Sequence, residues 1–234
     1  MSDTAHTPAC MTASLPSTFP TDAPHDKQSL RSLLSRRIQH PSEAAAIDAA
    51  IERAFVRDVA ILVLDMCGFS RITARHGIIH FLAMVHQMEQ AARPAIVGNG
   101  GEVIKQEADN LFAMFTTAEQ AFEAALGTLR ALEAMNAVLP PERALLVSAG
   151  IGFGPTLVIA DEDLFGPEMN GACKLGEDIA AAGHILLTQA AHAALPPGRY
   201  DCTAELHEIS GLLLPSHRFG QCLFERPLRQ PPEA

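Results

Sequence analysis

The run Val59-Ala60-Ile61-Leu62-Val63-Leu64 ends on a carboxylate, Asp65, and then turns through Met66-Cys67-Gly68-Phe69-Ser70. It is short, partly β-branched and bounded by turn residues, the pattern of a buried strand. A second stretch, Val103 to Phe115, is of the same kind and carries Asp109 at its centre. A carboxylate at the mouth of a buried strand is held rigidly and costs desolvation unless it is paired, so such groups often ligate cations. Two of them can hold a pair of hard cations, the equipment for phosphoryl chemistry.

Composition narrows the setting. The chain has 234 residues, room for one substantial domain with appendages, and 48% of them are hydrophobic, enough for a core. A formal charge of −10 argues against a nucleic-acid partner bound through phosphate neutralisation. Nucleotide binding stays open to an acidic chain if metal ions bring positive charge. The cysteines, Cys10, Cys67, Cys173, Cys202 and Cys222, show no CxxC spacing, so zinc and disulfide frameworks are poor readings and reduced thiols are expected. Cys67 reads as a packing residue. No apolar run reaches the roughly 18–20 residues of a membrane span, and no basic segment leads into an apolar leader. These features predict a soluble, cytoplasmic protein without a membrane span.

Residues 1–26, rich in Thr, Ser, Ala, Asp and Pro, predict a disordered tail. Residues 27–57 form a helical extension: Leu30, Leu33, Leu34 and Ile38 make one stripe, and Ile47, Ile51, Ala54 and Phe55 another after a Ser42 cap. The main domain covers 58–226, with a short tail at 227–234. Within it we expect a strand at 59–65, a helix at 71–93, and strands at 101–107 and 111–116 joined by a hairpin turn at 108–110. A helix follows at 118–138, stopped by Pro140-Pro141, then strands at 144–153 and 156–160. The remainder predicts a helix at 168–181, a strand at 184–188, a short helix at 189–195, and strands at 201–209 and 218–225. The β-α-β-β-α-β order indicates an α+β fold, a ferredoxin-like antiparallel core with helices on one sheet face and additional C-terminal strands.

Three blocks in register carry a resemblance. They are Leu64-Asp65-Met66-Cys67-Gly68-Phe69-Ser70, then Gly101-Glu102-Val103-Ile104-Lys105 through Asp109, then Asp163-Leu164-Phe165-Gly166-Pro167-Glu168-Met169-Asn170 through Leu175. With the strand end Gly150-Ile151-Gly152-Phe153-Gly154, the region from Val59 to Glu225 resembles the class III nucleotidyl cyclase catalytic domain, the adenylate and guanylate cyclase family.

The resemblance implies roles residue by residue. Asp65 and Asp109, helped by the Met66 carbonyl, would bind two Mg²⁺ or Mn²⁺ ions. Gly68, Phe69 and Ser70, leading into a helix, would offer backbone N–H groups to phosphate oxygens. Lys105 and Asp163 would read the base, Lys donating to a ring acceptor and Asp accepting from an exocyclic amine, which favours ATP over GTP. Asn170 would orient the ribose and Lys174 would steady the transferring phosphate. The implied reaction is in-line attack of the ribose 3′-hydroxyl on the α-phosphorus, giving a 3′,5′-cyclic nucleotide and pyrophosphate. The site would lie between the subunits of a homodimer.

Some positions depart from the family pattern. Lys174 stands where Arg is usual and lacks its bidentate fork. Ser210 replaces a lysine, His184 replaces an arginine found in some members, and Ala108 replaces the glycine before the second aspartate. These departures leave two alternatives, a catalytically degenerate cyclase-like domain that binds nucleotide or regulates, and a cyclase that uses GTP or a pyrimidine nucleotide. His76 and His80 have helical metal-ligand spacing but no flanking glutamate, and no Walker A or dinucleotide fingerprint is present.

Overall fold

In the computed structural model residues 26–224 are described, apart from Asp161 and Ser210. The expected tails at 1–26 and 227–234 lie outside the described residues, save for Asp26, which caps the first helix.

The apolar run becomes the central strand. β1 (Val56–Met66) pairs antiparallel with β3 (Asn110–Phe115) on one side and β4 (Val147–Ile159) on the other. β2 (Glu102–Glu107) lies outside β3, so the sheet runs β2-β3-β1-β4, the ferredoxin-like order. It continues through β6 (Ile185–Thr188), parallel to β4, to β8 (Leu212–Phe219) and β7 (Cys202–Ile209), while a short β5 (Asp163–Phe165) pairs with the end of β4.

Alternation sends the side chains of β1 to both faces. Ala60, Leu62, Leu64 and Met66 pack under α4 (Ile78–Gly98) and α5 (Ala118–Asn136), against Phe81, Met88, Phe122 and Leu129. Val59, Ile61 and Val63 face the other way, onto Ile104, Phe112, Leu164, Met169 and Ala172. Each buried side chain of this size contributes roughly 1.5–3 kcal/mol. The second face is covered by α6 (Pro167–Cys173) and a π-helical turn (Lys174–Ile179). Helices therefore lie on both faces, correcting the one-face expectation.

The close seat of α6 depends on missing side chains. A Cβ at Gly150 would collide with the Ala172 carbonyl oxygen and the Gly176 backbone, and one at Gly152 with the Glu168 carbonyl oxygen. Backbone cannot yield as a flexible side chain can, so β4 carries glycine at both points.

Other boundaries shift for identifiable reasons. The helix expected at 71–93 is two, α3 (Phe69–His76) and α4, separated by Gly77 at φ 84°, and α4 runs on through Pro94. The two strands expected at 144–153 and 156–160 are one, because β1 pairs continuously with β4 past Gly154-Pro155. The helix expected at 168–181 becomes α6 and the π turn, with Ala180 N–H bonding the Leu175 carbonyl at 2.8 Å. The last strand lies at 212–219 instead of 218–225, forming a hairpin with β7. α7 (Gln189–Ala193) follows β6, capped by Thr188.

α1 (Lys27–Gln39) and α2 (Ala44–Phe55) form a hairpin whose Leu30, Ile47, Ile51 and Phe55 pack on Ile159 of β4. Arg37 and Asp48 pair across it, and Lys27 reaches Glu162 at 3.0 Å.

Candidate active site

Asp65 is the penultimate residue of β1, on the face of Val59, Ile61 and Val63. It stands in register with Asn110 of β3 and Ser148 of β4. Asp109 lies in the tight turn between β2 and β3, one residue before Asn110. The pairing of β1 with β3 thus brings both carboxylates to one end of the sheet. Ala108 holds this turn at φ 51°, the one non-glycine with positive φ among the described residues, a strain of roughly 1–2 kcal/mol that glycine would avoid.

The electrostatics of this end are unbalanced. Burial first, and then the nearby Asp109, Glu177 and Asp178, together raise the Asp65 carboxyl to about 7. Glu177 is itself raised, first by burial and then by its acidic neighbours. The π turn carries Glu177 and Asp178 here, and no sequence signal marked them. Asn110 Oδ1 is buried without a hydrogen-bond partner. An orphaned oxygen beside mutually repelling carboxylates suits a hard divalent cation, which prefers oxygen donors.

Among the described residues no cluster of three or more His, Cys, Asp or Glu side chains is arranged to hold a metal. Two carboxylates and a backbone carbonyl nonetheless fit Mg²⁺, which commonly takes one or two carboxylates and completes its shell from water and substrate phosphates. The Met66 side chain is buried in the core, leaving its backbone as the part that can take this role.

The raised Asp65 carboxyl has a consequence for the metal-free chain. The folded state keeps a proton that the unfolded state, with an ordinary value of 3.8, has released. The stability tied to that proton is therefore full at acid pH and declines as pH rises from about 4 to about 7. Asp65→Asn, neutral at every pH, is expected to melt above the native chain at pH 8 without divalent ions, the advantage vanishing near pH 4. Thermal melts at the two pH values test it, and an equal shift at both would refute the assignment.

Gly68, at φ 96°, turns the chain into α3 without a side-chain cap. Phe69 and Ser70 are exposed at this helix start, and Phe69 packs edge-on against Phe81 at 4.8 Å.

The second predicted pair is also brought together. Lys105 Nζ lies 3.0 Å from Asp163 Oδ1 and 2.8 Å from Glu107 Oε2, and 4.8 Å from the centre of the Phe112 ring. A register shift between Val103 and Lys105 sets Lys105 opposite Phe112. The Leu164 N–H donates to Asp163 Oδ1 at 2.9 Å, fixing that carboxylate. Burial lowers the Lys105 ammonium, but the hydrogen bonds to Glu107 and Asp163 outweigh it and leave it raised, hence fully charged. Nearby, burial pushes the Cys173 thiol up to about 12, so it is a neutral group.

Asn170 is exposed on α6, and Lys174 follows, half-buried, at the start of the π turn with its N–H toward the Asn170 and Gly171 carbonyls. Glu168 anchors the helix that carries them. Its Oε2 accepts from the Phe153 N–H at 3.1 Å and from Thr188 Oγ1 at 2.6 Å. This anchor was not singled out in the sequence, since an acid in the first turn of a helix is ordinarily a surface residue. Burial, then the neighbouring Arg218, lowers the His184 imidazole below its usual 6.5, leaving it neutral at physiological pH. Ser210 lies outside the described residues.

No protein-family model matches the chain. A Rhizobium meliloti (strain 1021) protein named "Putative adenylate cyclase 3" is 28% identical over 179 residues, covering 75% of this chain and 30% of that protein. The chain thus spans under a third of that relative's length. Among solved structures, the adenylate/guanylate cyclase/hydrolase from Silicibacter pomeroyi superposes with a TM-score of 0.61 at 25% identity, over 70% of this chain and 96% of that one. The guanylyl cyclase Cya2 shares the fold with a TM-score of 0.62 at 16% identity, over 71% and 93% of the two chains. Among the described residues, no helix is long and apolar enough to cross a membrane.

Proposed function

We propose that this chain, which carries a class III nucleotidyl cyclase catalytic domain, converts ATP into 3′,5′-cyclic AMP and pyrophosphate in the cytoplasm. The observation that carries the reading is the convergence of Asp65 and Asp109 at one end of the sheet, where unbalanced negative charge calls for cations. Asp65, Asp109 and the Met66 carbonyl would hold Mg²⁺ or Mn²⁺. Such ions, when bound, acidify a ribose 3′-hydroxyl and neutralise a triphosphate. The N–H groups around Gly68, Phe69 and Ser70 hold phosphate oxygens, and Asn170 holds the ribose against the α-phosphorus. Lys174 places a positive charge by the transferring phosphate. Positioning and charge neutralisation supply the rate.

The Lys105–Asp163 pair supports ATP as substrate. An ammonium donates to a ring acceptor and a carboxylate accepts from the exocyclic amine, whereas guanine offers the reverse pattern. We place the working site across a homodimer, metals from one subunit meeting base, ribose and phosphate contacts from the other.

A second reading, a nucleotide-binding domain without turnover, is favoured by Lys174 in place of the fork-forming arginine and by the neutral His184. Incubation with each of the four ribonucleoside triphosphates and Mn²⁺, followed by mass spectrometry, separates the two. Cyclic AMP as the main product is expected. Bound nucleotide with no cyclic product from any of the four would establish the second reading.

A further inference from the structure

Lys105 has one more partner than a two-residue base reader needs. Besides Asp163 at 3.0 Å, its ammonium contacts Glu107 Oε2 at 2.8 Å. Lys105 and Glu107 are two residues apart on β2 and so share a face. Two of the three ammonium N–H groups are therefore committed to carboxylates, and Phe112 lies under the cation at 4.8 Å. Asp163 is likewise half-committed, since the Leu164 N–H and Lys105 both meet its Oδ1, leaving Oδ2 for a ligand. One donor and one acceptor remain side by side.

We propose that Glu107 is a positioning residue that sharpens base specificity, an inference that rests on the base-reading role of Lys105 and Asp163. Its carboxylate, with Asp163, fixes the ammonium from two sides, so that a single N–H is presented to a ring nitrogen. It also makes the local charge negative, two carboxylates about one ammonium. A base edge that offers an amine to Asp163 is welcomed there, and one that offers a carbonyl oxygen is repelled. Glu107 thereby widens the gap between a 6-amino and a 6-oxo purine without touching either. Its side chain is 69% exposed, so solvent screening limits the effect.

The test uses the full chain and nucleotides that cannot cyclise, so that it does not depend on turnover. Affinities for α,β-methylene ATP and α,β-methylene GTP are measured by calorimetry with Mn²⁺ for the native chain, Glu107→Gln and Lys105→Met. Glu107→Gln should lower the ATP-to-GTP affinity ratio about threefold with an unchanged melting temperature, and the drop should shrink at high salt. A ratio unchanged in Glu107→Gln but altered in Lys105→Met overturns the role of Glu107 alone. A ratio unchanged in both variants overturns the base-reading assignment as well, as does failure of the native chain to bind either analogue.

Discussion

Asp65→Ala is expected to lower cyclic-nucleotide formation by about 10²–10³-fold, the usual scale for removing a principal electrostatic stabiliser of a transition state. The dimer and the fold should survive. Asp65 sits near the end of β1, where it is less buried than the core residues on either side of it, and its neighbours Asp109, Glu177 and Asp178 repel it. Removing it relieves like-charge repulsion in the metal-free protein and takes no side-chain hydrogen bond from the core. Turnover and stability should therefore move in opposite directions, a combination that misfolding cannot produce. Product formation followed by mass spectrometry, together with light scattering and a thermal melt, reads both. Turnover equal to that of the native chain would remove Asp65 from the metal assignment.

The readable part of this chain was the part in which local pattern and tertiary demand agree. The Val59–Leu64 run is apolar at consecutive positions because β1 is covered on both faces, so strand and burial were legible together. α5 was legible at 118–138 from its stop at Pro140-Pro141, and the structure adds a reciprocal Thr117–Gln120 cap at its start. The α6 side of the sheet was not. A helix was expected at 168–181, but its close seat on the second sheet face rests on Gly150 and Gly152, which leave no periodic signature. The π turn was hidden for the same reason, since an i→i+5 bond has no composition of its own. Glu177 and Asp178 consequently went unnoticed near Asp65, and Asn110 was read only as a turn residue. Glu107 was passed over because a charged residue near a hairpin is ordinarily a solvated one. Asp65 and Asp109 stood out because a charge at an apolar strand comes only at a cost, whereas Lys105 and Asp163 stood out through the family resemblance alone.

The second large effect concerns the base. Lys105→Glu with Asp163→Cys is expected to turn the preference from ATP toward GTP, with a change in relative kcat/KM on the order of 10²-fold or more. The reasoning is one of donor and acceptor inversion. A carboxylate at position 105 accepts from the ring N–H and the 2-amino group of guanine, and a thiol at 163 no longer repels its 6-oxygen. Each change alone should impair both substrates. Lys105→Glu by itself sets two carboxylates where an ion pair of 3.0 Å stood, and Asp163→Cys leaves the ammonium held by Glu107 alone. The effects must then be strongly non-additive, as for any pair in direct contact. Glu107 adds a further condition. On the same face of β2, it repels a new carboxylate at 105, so the double variant should gain GTP activity when Glu107→Gln is added. Steady-state kinetics with both nucleotides across the single, double and triple variants measures each step, and a preference for ATP that persists through all of them would remove Lys105 and Asp163 from base recognition.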